Sequence, residues 1–279
     1  MKVLTARKAQ ATQDGAGVKI NRIAGFDGKS LDPFLMIDEL KSDDSGDYMA
    51  GFPAHPHRGI ETFTYIRKGG FEHRDQMGNV KAIRSGDVQW MSTGRGVVHS
   101  EMPLADAIDG MHGFQIWLNM PAKEKMRAPR YQDSAMTGVK TVETAQGVVL
   151  RALAGDWHIE GQTVSAHLQG LAGDGALADV VMPANSKTTL DLSQHGKALI
   201  YIHSGNLLDE RFGQMIQLTL DPTEPVILES GTHGVGLLVL AGNPINERIA
   251  HMGPFVMNTQ EELHQAIRDY QQGRFGDIV

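Results

Sequence analysis

Short apolar runs separated by glycine-containing turns are the feature that most restricts how this chain can fold. The sequence has 32 glycines among 279 residues, and turn sequences such as Lys68-Gly69-Gly70 and Ser85-Gly86-Asp87 recur between the runs. Many short strands at close spacing predict an all-β sandwich or barrel. The expected strands are Thr62–Ile66, Val88–Met91, Phe114–Leu118, Val148–Leu153, Val180–Met182, Ala198–Ile202, Met215–Leu220, Pro225–Leu228 and Val235–Leu240.

The apolar runs fall into two blocks of similar strand density, although the blocks share no obvious sequence repeat. A charged, proline-containing stretch from Pro121 to Asp133 has little periodicity and is interpreted as the crossover between them. Two β-barrel domains are therefore expected, one over residues 1–130 and the other over residues 131–279.

One segment near the C-terminus has a helical pattern instead. Thr259 followed by Glu262 fits a capping box, in which each side chain satisfies a free backbone N–H of the other residue. Apolar residues then recur at i, i+4 and i+7 from Leu263, and Gly273 suits the position just after a helix. The pattern predicts a short α-helix at about residues 260–272 that ends the second domain.

Composition excludes several classes of function. The chain has no cysteine, which rules out disulfides, cysteine nucleophiles and thiolate-bound metals. Its 26 basic and 33 acidic side chains give a net charge of −7 without a basic block, so direct nucleic-acid or anionic-membrane binding is not expected. The N-terminus lacks a signal-peptide core and no membrane-length apolar stretch occurs, so a cytoplasmic protein is expected.

Two residue pairs with i, i+2 spacing suggest a metal site. His55 and His57 form one pair, and His99 and Glu101 form the other. Alternate side chains of a β-strand lie on the same face, so each pair presents two ligands to one side. Two such strands facing each other would bring three imidazoles and one carboxylate together, a donor set that suits a divalent transition metal and leaves room for another ligand.

Spacing alone is weak evidence for this set. With 12 histidines in 279 residues, about 0.5 His-x-His pairs and about 1.4 His-x-acid pairs are expected by chance. Two further pairs, His73-Arg-Asp75 and His158-Ile-Glu160, have the same spacing and are interpreted as solvated or surface pairs. The set from His55 to Glu101 differs because strands and glycine turns separate its two pairs.

That organisation resembles the cupin superfamily, although Ser92 stands where the second cupin motif usually has proline. The longer motifs resemble one family within it, the pirins, and they span nearly the whole chain. They are Gly51-Phe-Pro-Ala-His-Pro-His-Arg-Gly59, Glu61-Thr-Phe-Thr-Tyr65, Gly86-Asp-Val-Gln-Trp-Met91, Thr93-Gly-Arg-Gly96, His99-Ser-Glu-Met-Pro103, Gln115-Ile-Trp-Leu-Asn119 and Gly253-Pro-Phe-Val-Met-Asn258.

The resemblance implies a bicupin fold with one mononuclear metal, usually Fe(II), in the N-terminal barrel and none in the second. The ligands of the family fall on His55, His57, His99 and Glu101. Some bacterial members are similar to quercetin 2,3-dioxygenases, which cleave a flavonol ring with O₂ and release CO. The resemblance therefore implies a small aromatic, flavonol-like substrate together with O₂.

Roles for individual residues follow from this reading. A divalent metal held by three neutral imidazoles and one carboxylate stays net positive and can bind an anionic substrate oxygen. Glu101 lies where it can also take the substrate's hydroxyl proton as general base. Arg58 and Gln115 are candidates for orienting the ligands, with an ordinary salt bridge or strand hydrogen bond as the alternative. Glu61, a ligand position in other cupins, is assigned a supporting or structural role.

Two questions stay open at the level of sequence. A different class of function, an iron-containing regulator that binds a transcriptional or metabolic partner protein, would use the same four ligands. Several aromatic side chains are candidates for the walls of a substrate pocket, although barrel core is their more usual place. They are Phe34, Phe52, Phe63, Trp90 and Trp117.

Overall fold

The computed structural model describes residues 1–26, 30–208 and 211–278. These residues confirm the expected all-β class, with one α-helix, α1 (Gln260–Gln271), near the C-terminus. The strands, in chain order, are β1 (Val3–Lys8), β2 (Gln10–Asp14), β3 (Val18–Gly25), β4 (Phe34–Ser42), β5 (Phe52–His57), β6 (Ile60–Lys68), β7 (Gly70–Asp75), β8 (Val80–Arg84), β9 (Val88–Ser92), β10 (Val97–Pro103), β11 (Met111–Asn119), β12 (Arg130–Asp133), β13 (Lys140–Glu143), β14 (Val149–Ala154), β15 (Asp156–Ile159), β16 (Gln162–Ser165), β17 (Ala176–Met182), β18 (Lys187–Asp191), β19 (Lys197–Leu207), β20 (Phe212–Gly213), β21 (Ile216–Leu220), β22 (Val226–Gly242), β23 (Ala250–Met252) and β24 (Phe255–Met257).

The chain divides into two compact units, and both contain segments distant in sequence. Residues 11–138 and 245–279 form the unit called here the site unit, and residues 1–10 and 139–244 form the second unit. The division differs from the expected boundaries of 1–130 and 131–279 at both ends of the chain. The first strand belongs to the second unit because β1 pairs with β21, and α1 belongs to the site unit because Leu263 and Ala266 pack with Val98 and Phe255.

Two large antiparallel sheets build most of the site unit, and β23 and β24 form a small third sheet. One has the strand order β5-β10-β7-β8 and the other has the order β12-β9-β6-β11-β4-β3-β2. A buried cluster takes Ile66 from the larger sheet and Phe71 and Ile83 from the smaller sheet. Because one cluster draws on the inner faces of both sheets, the sheets pack face to face around a shared core. The residues interpreted as a crossover include β12, which pairs with β9 and so belongs to this sheet.

The second unit is one large antiparallel sheet system with its own core around Trp157, Ile200 and Leu237. The two strands expected over Pro225–Leu228 and Val235–Leu240 are parts of one long strand, β22. Its first part pairs with β18, and its last part pairs with β17 and β19. Gly234, with φ +75°, lies between the two parts and provides a backbone conformation that few other residues adopt.

The helix α1 begins with the predicted capping box. The Thr259 hydroxyl accepts a hydrogen bond from the Glu262 backbone N–H at 3.2 Å, and the Glu262 carboxylate accepts one from the Thr259 N–H at 3.0 Å. Gly273 follows the helix with φ +70°, as expected for a residue that ends a helix. The buried face differs slightly from the prediction, because Ala266 is buried whereas Tyr270 is 39% exposed. No helix in the described part of the chain is long and apolar enough to cross a membrane.

Lys125 is a fully buried cation that joins three segments of the site unit. Its Nζ donates to the backbone oxygens of Gly59 at 2.7 Å and Val256 at 3.0 Å, and to the Asn119 side-chain oxygen at 2.7 Å. Burial lowers the pKa of Lys125 to about 7. The ammonium therefore holds the residues that follow β5 against β24, and its three acceptors offset only part of the desolvation cost, since the pKa stays below the ordinary lysine value.

Replacing Lys125 by methionine should lower the free energy of unfolding by about 3 kcal/mol, because three buried acceptors lose their donor. Urea unfolding measures this loss of stability, and the exposed Lys123→Met variant is the control.

The stability should also depend on pH through Lys125. Its pKa is about 7 in the folded protein and 10.5 in the unfolded chain, so between these two pH values the unfolded state binds more protons than the folded state. Stability should therefore rise with pH across that window in the wild type and rise less in Lys125→Met. Equal stability of Lys125→Met and Lys123→Met would contradict the stabilising role assigned to the buried hydrogen bonds of Lys125.

Candidate metal centre

Three neighbouring strands of the smaller sheet each carry a pair of polar residues at i, i+2 spacing. The sequence predicted that the two ligand-bearing strands would face each other. Instead, β5 and β10 are hydrogen-bonded neighbours in one sheet, and β7 lies on the other side of β10. The pairs are His55 and His57 on β5, His99 and Glu101 on β10, and His73 and Asp75 on β7.

Strand register aligns these pairs. His99 lies opposite His55 on one side and opposite Asp75 on the other, while Glu101 lies opposite His73. Between His99 and Glu101 the pairing with β5 shifts by one residue, a β-bulge that changes the direction of the bulged strand. Three strands thus bring six polar side chains into one compact patch.

The three imidazoles expected to bind metal converge. The ring centroids of His55 and His99 are 4.4 Å apart, those of His55 and His57 are 4.8 Å apart, and those of His57 and His99 are 5.0 Å apart. Each ring places a nitrogen within 4.8 Å of a nitrogen of the other two. His57 and His99 are buried, whereas His55 is half-buried, so the cluster has one face that is accessible.

Hydrogen bonds orient two of these rings. The Nδ1 of His55 lies 2.7 Å from the backbone oxygen of Pro53, and the Nδ1 of His57 lies 3.3 Å from that of Pro254. Because a carbonyl oxygen only accepts, each Nδ1 carries the proton and each Nε2 keeps a lone pair. Burial lowers the pKa of His57, with His55 as the second cause.

His99 is the least satisfied side chain of the cluster. Among the described residues, neither of its ring nitrogens has a hydrogen-bond partner, although both are buried. Burial, and then the charges of the neighbouring imidazoles, lower the pKa of His99, which keeps the ring neutral. A buried neutral imidazole without a partner, next to two imidazoles with free Nε2 atoms, fits a divalent transition-metal ion.

Glu101 is held beside this cluster by three polar side chains. Its Oε1 accepts a short hydrogen bond from Gln89 and lies 3.2 Å from the Thr64 hydroxyl, while its Oε2 lies 3.4 Å from the Gln115 amide nitrogen. Glu101 falls within the 4.8 Å grouping of His73 and His99 rather than that of the three imidazoles. Ligation by all four predicted residues therefore stays a prediction, and so does an orienting role for Gln115, whose amide contacts the carboxylate.

The side chains of Arg58 and Glu61 have partners of their own. Arg58 donates to Asp269 of α1 at 2.9 Å and to the Arg95 backbone oxygen at 2.6 Å. Its guanidinium also lies 4.5 Å from the centre of the Phe275 ring. Arg58 thus fastens the C-terminal helix to the end of β5, and any effect of this side chain on His57 is transmitted through the backbone.

Glu61 lies on β6, near one end of this strand of the larger sheet. Its carboxylate accepts hydrogen bonds from Trp90 at 3.0 Å and from Arg127 at 3.1 Å. The exposed fraction of the Glu61 residue is 0%, and its partners are buried or half-buried. These contacts support the structural role assigned to it.

The interpretation of His73 and Asp75 as a solvated pair is wrong. They are 0% and 1% exposed, and His73 lies next to His99. Sequence reasoning missed them because β7 contains too few apolar residues to be recognised as a strand. The interpretation holds for His158 and Glu160, since His158 is hydrogen-bonded to a threonine at the surface and Glu160 is exposed.

Next to the cluster, a cavity of about 640 Å³ opens within the site unit. His55, His57 and Glu101 line it together with Phe52, Phe114 and Trp117, so its walls combine possible ligands with aromatic rings. Of the five aromatic residues considered, Phe52 and Trp117 reach this cavity. The others, Phe34, Phe63 and Trp90, are buried in the strands away from it.

A polar row crosses one wall of the cavity. Register places Thr64 opposite Gln115, Gln115 opposite Asp38 and Asp38 opposite Arg22, on four adjacent strands. Arg22 donates two hydrogen bonds to Asp38, at 2.9 and 2.8 Å. Burial raises the pKa of Asp38 and outweighs the opposing effect of Arg22. The cavity therefore has a continuous row of hydrogen-bonding groups along this wall.

The chain matches two family models and many known proteins. The family described as Pirin matches residues 17–118, and the Pirin C-terminal cupin domain matches residues 177–276. A protein of Vibrio cholerae named "putative quercetin 2,3-dioxygenase" is 45% identical, over 96% of this chain and 95% of its own. Mouse pirin is 32% identical, over 99% of this chain and 94% of its own.

Solved structures give the same result for the fold. A crystal structure described as quercetin 2,3-dioxygenase from Acinetobacter baumannii has a TM-score of 0.87 and 28% identity, covering 100% of this chain and 99% of that one. A bacterial pirin from Escherichia coli, in complex with nickel(II), has a TM-score of 0.59 and 18% identity, covering 86% of this chain and 99% of that one, and supports the fold alone.

Metal-free protein should lose stability as the pH falls from about 6.5, the ordinary histidine pKa, to about 5. The pKa values of folded His57 and His99 lie well below that of an unfolded histidine, so in this window the unfolded state binds protons that the folded state does not. Replacing His99 by leucine should reduce the slope of stability against pH by up to about 1.4 kcal/mol per pH unit. Urea unfolding at several pH values measures the slope. An unchanged slope in both His99→Leu and His57→Leu would refute this account.

Proposed function

The chain belongs to the pirin family, and from that premise we propose that it is a metal-dependent dioxygenase that cleaves flavonols such as quercetin with O₂ and releases CO. The observation that carries the proposal is the convergence of the imidazoles of His55, His57 and His99 next to an aromatic-lined cavity of about 640 Å³, whose wall includes Glu101. The names of the Vibrio and Acinetobacter proteins support the reaction class.

In this proposal His55, His57, His99 and Glu101 hold one divalent transition metal, for which Fe(II) is our candidate. The free Nε2 atoms of His55 and His57 and the partnerless ring of His99 are suitable donors. When bound, the metal supplies Lewis acidity toward an anionic oxygen of the substrate. Nitrogen and oxygen donors accept several divalent ions, so the identity of the metal rests on the family and not on the donor set.

Glu101 removes the proton from the flavonol hydroxyl. Gln89 and Thr64 contact Oε1, whereas among the described residues Oε2 has just the longer contact with Gln115, so Oε2 is the oxygen with more capacity to accept a proton. Glu101 lines the cavity with His55 and His57, which places the base and the proposed ligands beside the same bound molecule. The polar side chains around the carboxylate fix its orientation and need no rearrangement before the transfer.

The cavity suits a planar aromatic substrate. Its volume lies within the range of about 300–1,000 Å³ that is usual for small-molecule sites. Trp117 stands edge-on to His57, with ring centroids 4.9 Å apart, and borders the cavity. The row from Thr64 to Arg22 offers hydrogen-bond partners to hydroxyl groups on the rings of the substrate.

Replacing Glu101 by glutamine should lower flavonol turnover at least about a hundredfold, since the amide cannot accept the proton. Metal content should fall much less, because the oxygen of the amide can still coordinate. Flavonol absorbance measures turnover, and elemental analysis measures the metal. Glu61→Gln, which alters a buried carboxylate that does not line the cavity, is the matched control and should keep its turnover per bound metal. Equal losses of metal and turnover in Glu101→Gln would argue against a base role.

Replacing Trp117 by leucine should weaken flavonol binding about tenfold by removing an aromatic wall, while metal content stays unchanged. Trp90→Phe is the control, because Trp90 is buried away from the cavity. Fluorescence titration of metal-free and metal-loaded protein gives the binding constants. Similar affinities in the two variants would mean that flavonols bind elsewhere.

A metal series tests the function as a whole. Purified protein is loaded anaerobically with Fe(II), Mn(II), Co(II), Ni(II) or Cu(II), and loss of flavonol absorbance and release of CO are followed after air is admitted. We expect turnover with at least one metal, with the largest rate for Fe(II). Absence of turnover with every metal would refute the dioxygenase proposal. The regulatory alternative would then be tested by comparing the proteins captured from cell extract with metal-loaded and metal-free protein.

A further inference from the structure

A second histidine–acid pair stands behind the proposed metal ligands and has no part in the function described so far. His73 and Asp75 are both buried on β7, and the His73 Nε2 lies 3.0 Å from an Asp75 carboxylate oxygen. Because an ionised carboxylate only accepts hydrogen bonds, the proton of His73 is on Nε2. In the neutral ring, the Nδ1 atom of His73 therefore keeps a lone pair.

Asp75 is itself fixed by the turn that follows β7. Its Oδ1 accepts from the backbone N–H of Met77 at 2.9 Å and of Asn79 at 3.1 Å, and its Oδ2 accepts from the Asn79 amide at 2.8 Å. A carboxylate held by three donors has little freedom to turn away. The tautomer of His73 is thus set by a rigid acceptor.

The lone pair of His73 lies beside a metal-ligand candidate. Among the described residues His73 Nδ1 is buried without a hydrogen-bond partner, and one atom each of His73, His99 and Glu101 lie within 4.8 Å of one another. The His73 ring is stacked on Tyr131, with centroids 4.8 Å apart, and its centroid is 5.4 Å from that of His99. Tyr131 therefore limits the movement of the ring away from this position.

His99 lies between two groups of nitrogen atoms. Strand β10, which carries it, pairs on one side with β5, the strand of His55 and His57, and on the other with β7, the strand of His73. The two nitrogens of an imidazole point in nearly opposite directions, so one metal ion can use only one of them. When one nitrogen of His99 binds a metal with His55 and His57, the other must carry a proton, and it then needs an acceptor in a buried place.

We propose that His73 is a positioning residue whose Nδ1 accepts the hydrogen bond of His99, with Asp75 holding His73 in the tautomer that can accept it. The chain Asp75–His73–His99 fixes the ring plane of His99 and directs its other nitrogen at the metal. This inference rests on the metal-ligand part of the proposed function and is independent of the substrate.

Four variants and one metal test this arrangement, with Zn(II) as the probe because it has no redox chemistry. His73→Leu removes the acceptor. Asp75→Asn presents an amide N–H to Nε2 of His73, which moves the proton of this ring to Nδ1. The Nδ1–H of His73 then faces the N–H of His99, and no hydrogen bond can form between the two donors. His73→Asn restores an acceptor oxygen near the position of Nδ1. Asn79→Ala removes one contact of Asp75 while leaving the His73–Asp75 bond intact.

Competition with a chelator measures the affinity for Zn(II). We expect it to fall about 10- to 100-fold in His73→Leu and Asp75→Asn, and to stay within about threefold of wild type in His73→Asn and Asn79→Ala. A merely structural role would not predict rescue by asparagine, or a loss in Asp75→Asn that is absent in Asn79→Ala. Wild-type affinity in His73→Leu, or equal losses in His73→Leu and His73→Asn, would overturn the proposal.

Nitrogen NMR of the imidazoles gives a readout that does not depend on affinity. In the Zn(II)-loaded wild type, His73 should carry its proton on Nε2 with an unprotonated, metal-free Nδ1, and His99 should show one N–H and one metal-bound nitrogen. A metal-bound nitrogen on His73, or a proton on its Nδ1, would overturn the proposal. The role of His73 and the metal site itself can fail separately. Tight Zn(II) binding by the wild type and equally by the variants would refute only the role of His73. Failure of the wild type to bind Zn(II) would refute the metal site.

Discussion

The register of β10 between β5 and β7 is the constraint on which the site depends. Backbone hydrogen bonds on both sides of one strand place His99 opposite His55 and Glu101 opposite His73. Because side chains of a strand alternate between faces, a slip of one residue would turn His99 and Glu101 together to the other side of the sheet. The arrangement of the donor atoms therefore follows from the hydrogen-bonded pairing of the main chain and does not depend on direct contacts between the ligand side chains.

Burial then decides the chemistry of these donors. Desolvation is the main cause that lowers the pKa of His57 and His99, with the neighbouring imidazoles as the second cause, and it keeps these two rings neutral. The same burial would be costly for a free carboxylate, and Glu101 is accordingly surrounded by the amides of Gln89 and Gln115 and the hydroxyl of Thr64. One low-dielectric environment thus contains neutral nitrogen donors next to a carboxyl group whose orientation is fixed by hydrogen bonds.

Much of the fold could be predicted from local sequence, whereas the relation between strands could not. The capping box at Thr259 and the apolar runs depend on neighbours within a few residues, and the structure confirms the helix and most of the strands. The pairing of β5 with β10 in one sheet depends on contacts between distant segments, so the expected face-to-face arrangement did not occur. For the same reason His73 was misjudged: its burial comes from β10 and Tyr131, which nothing in the sequence around it reveals.

The site unit is assembled from both ends of its sequence, and this has a consequence for how the protein matures. The backbone oxygen that orients His57 belongs to Pro254, which is 197 residues later in the chain. Arg58, next to His57, is held by Asp269 of the last helix. During synthesis on the ribosome the three imidazoles emerge early, but their surroundings are incomplete until the residues up to Asp269 have been added. A fragment that stops at residue 138, where the first segment of the site unit ends, would therefore keep the imidazoles but lack the Pro254 oxygen and the Asp269 carboxylate.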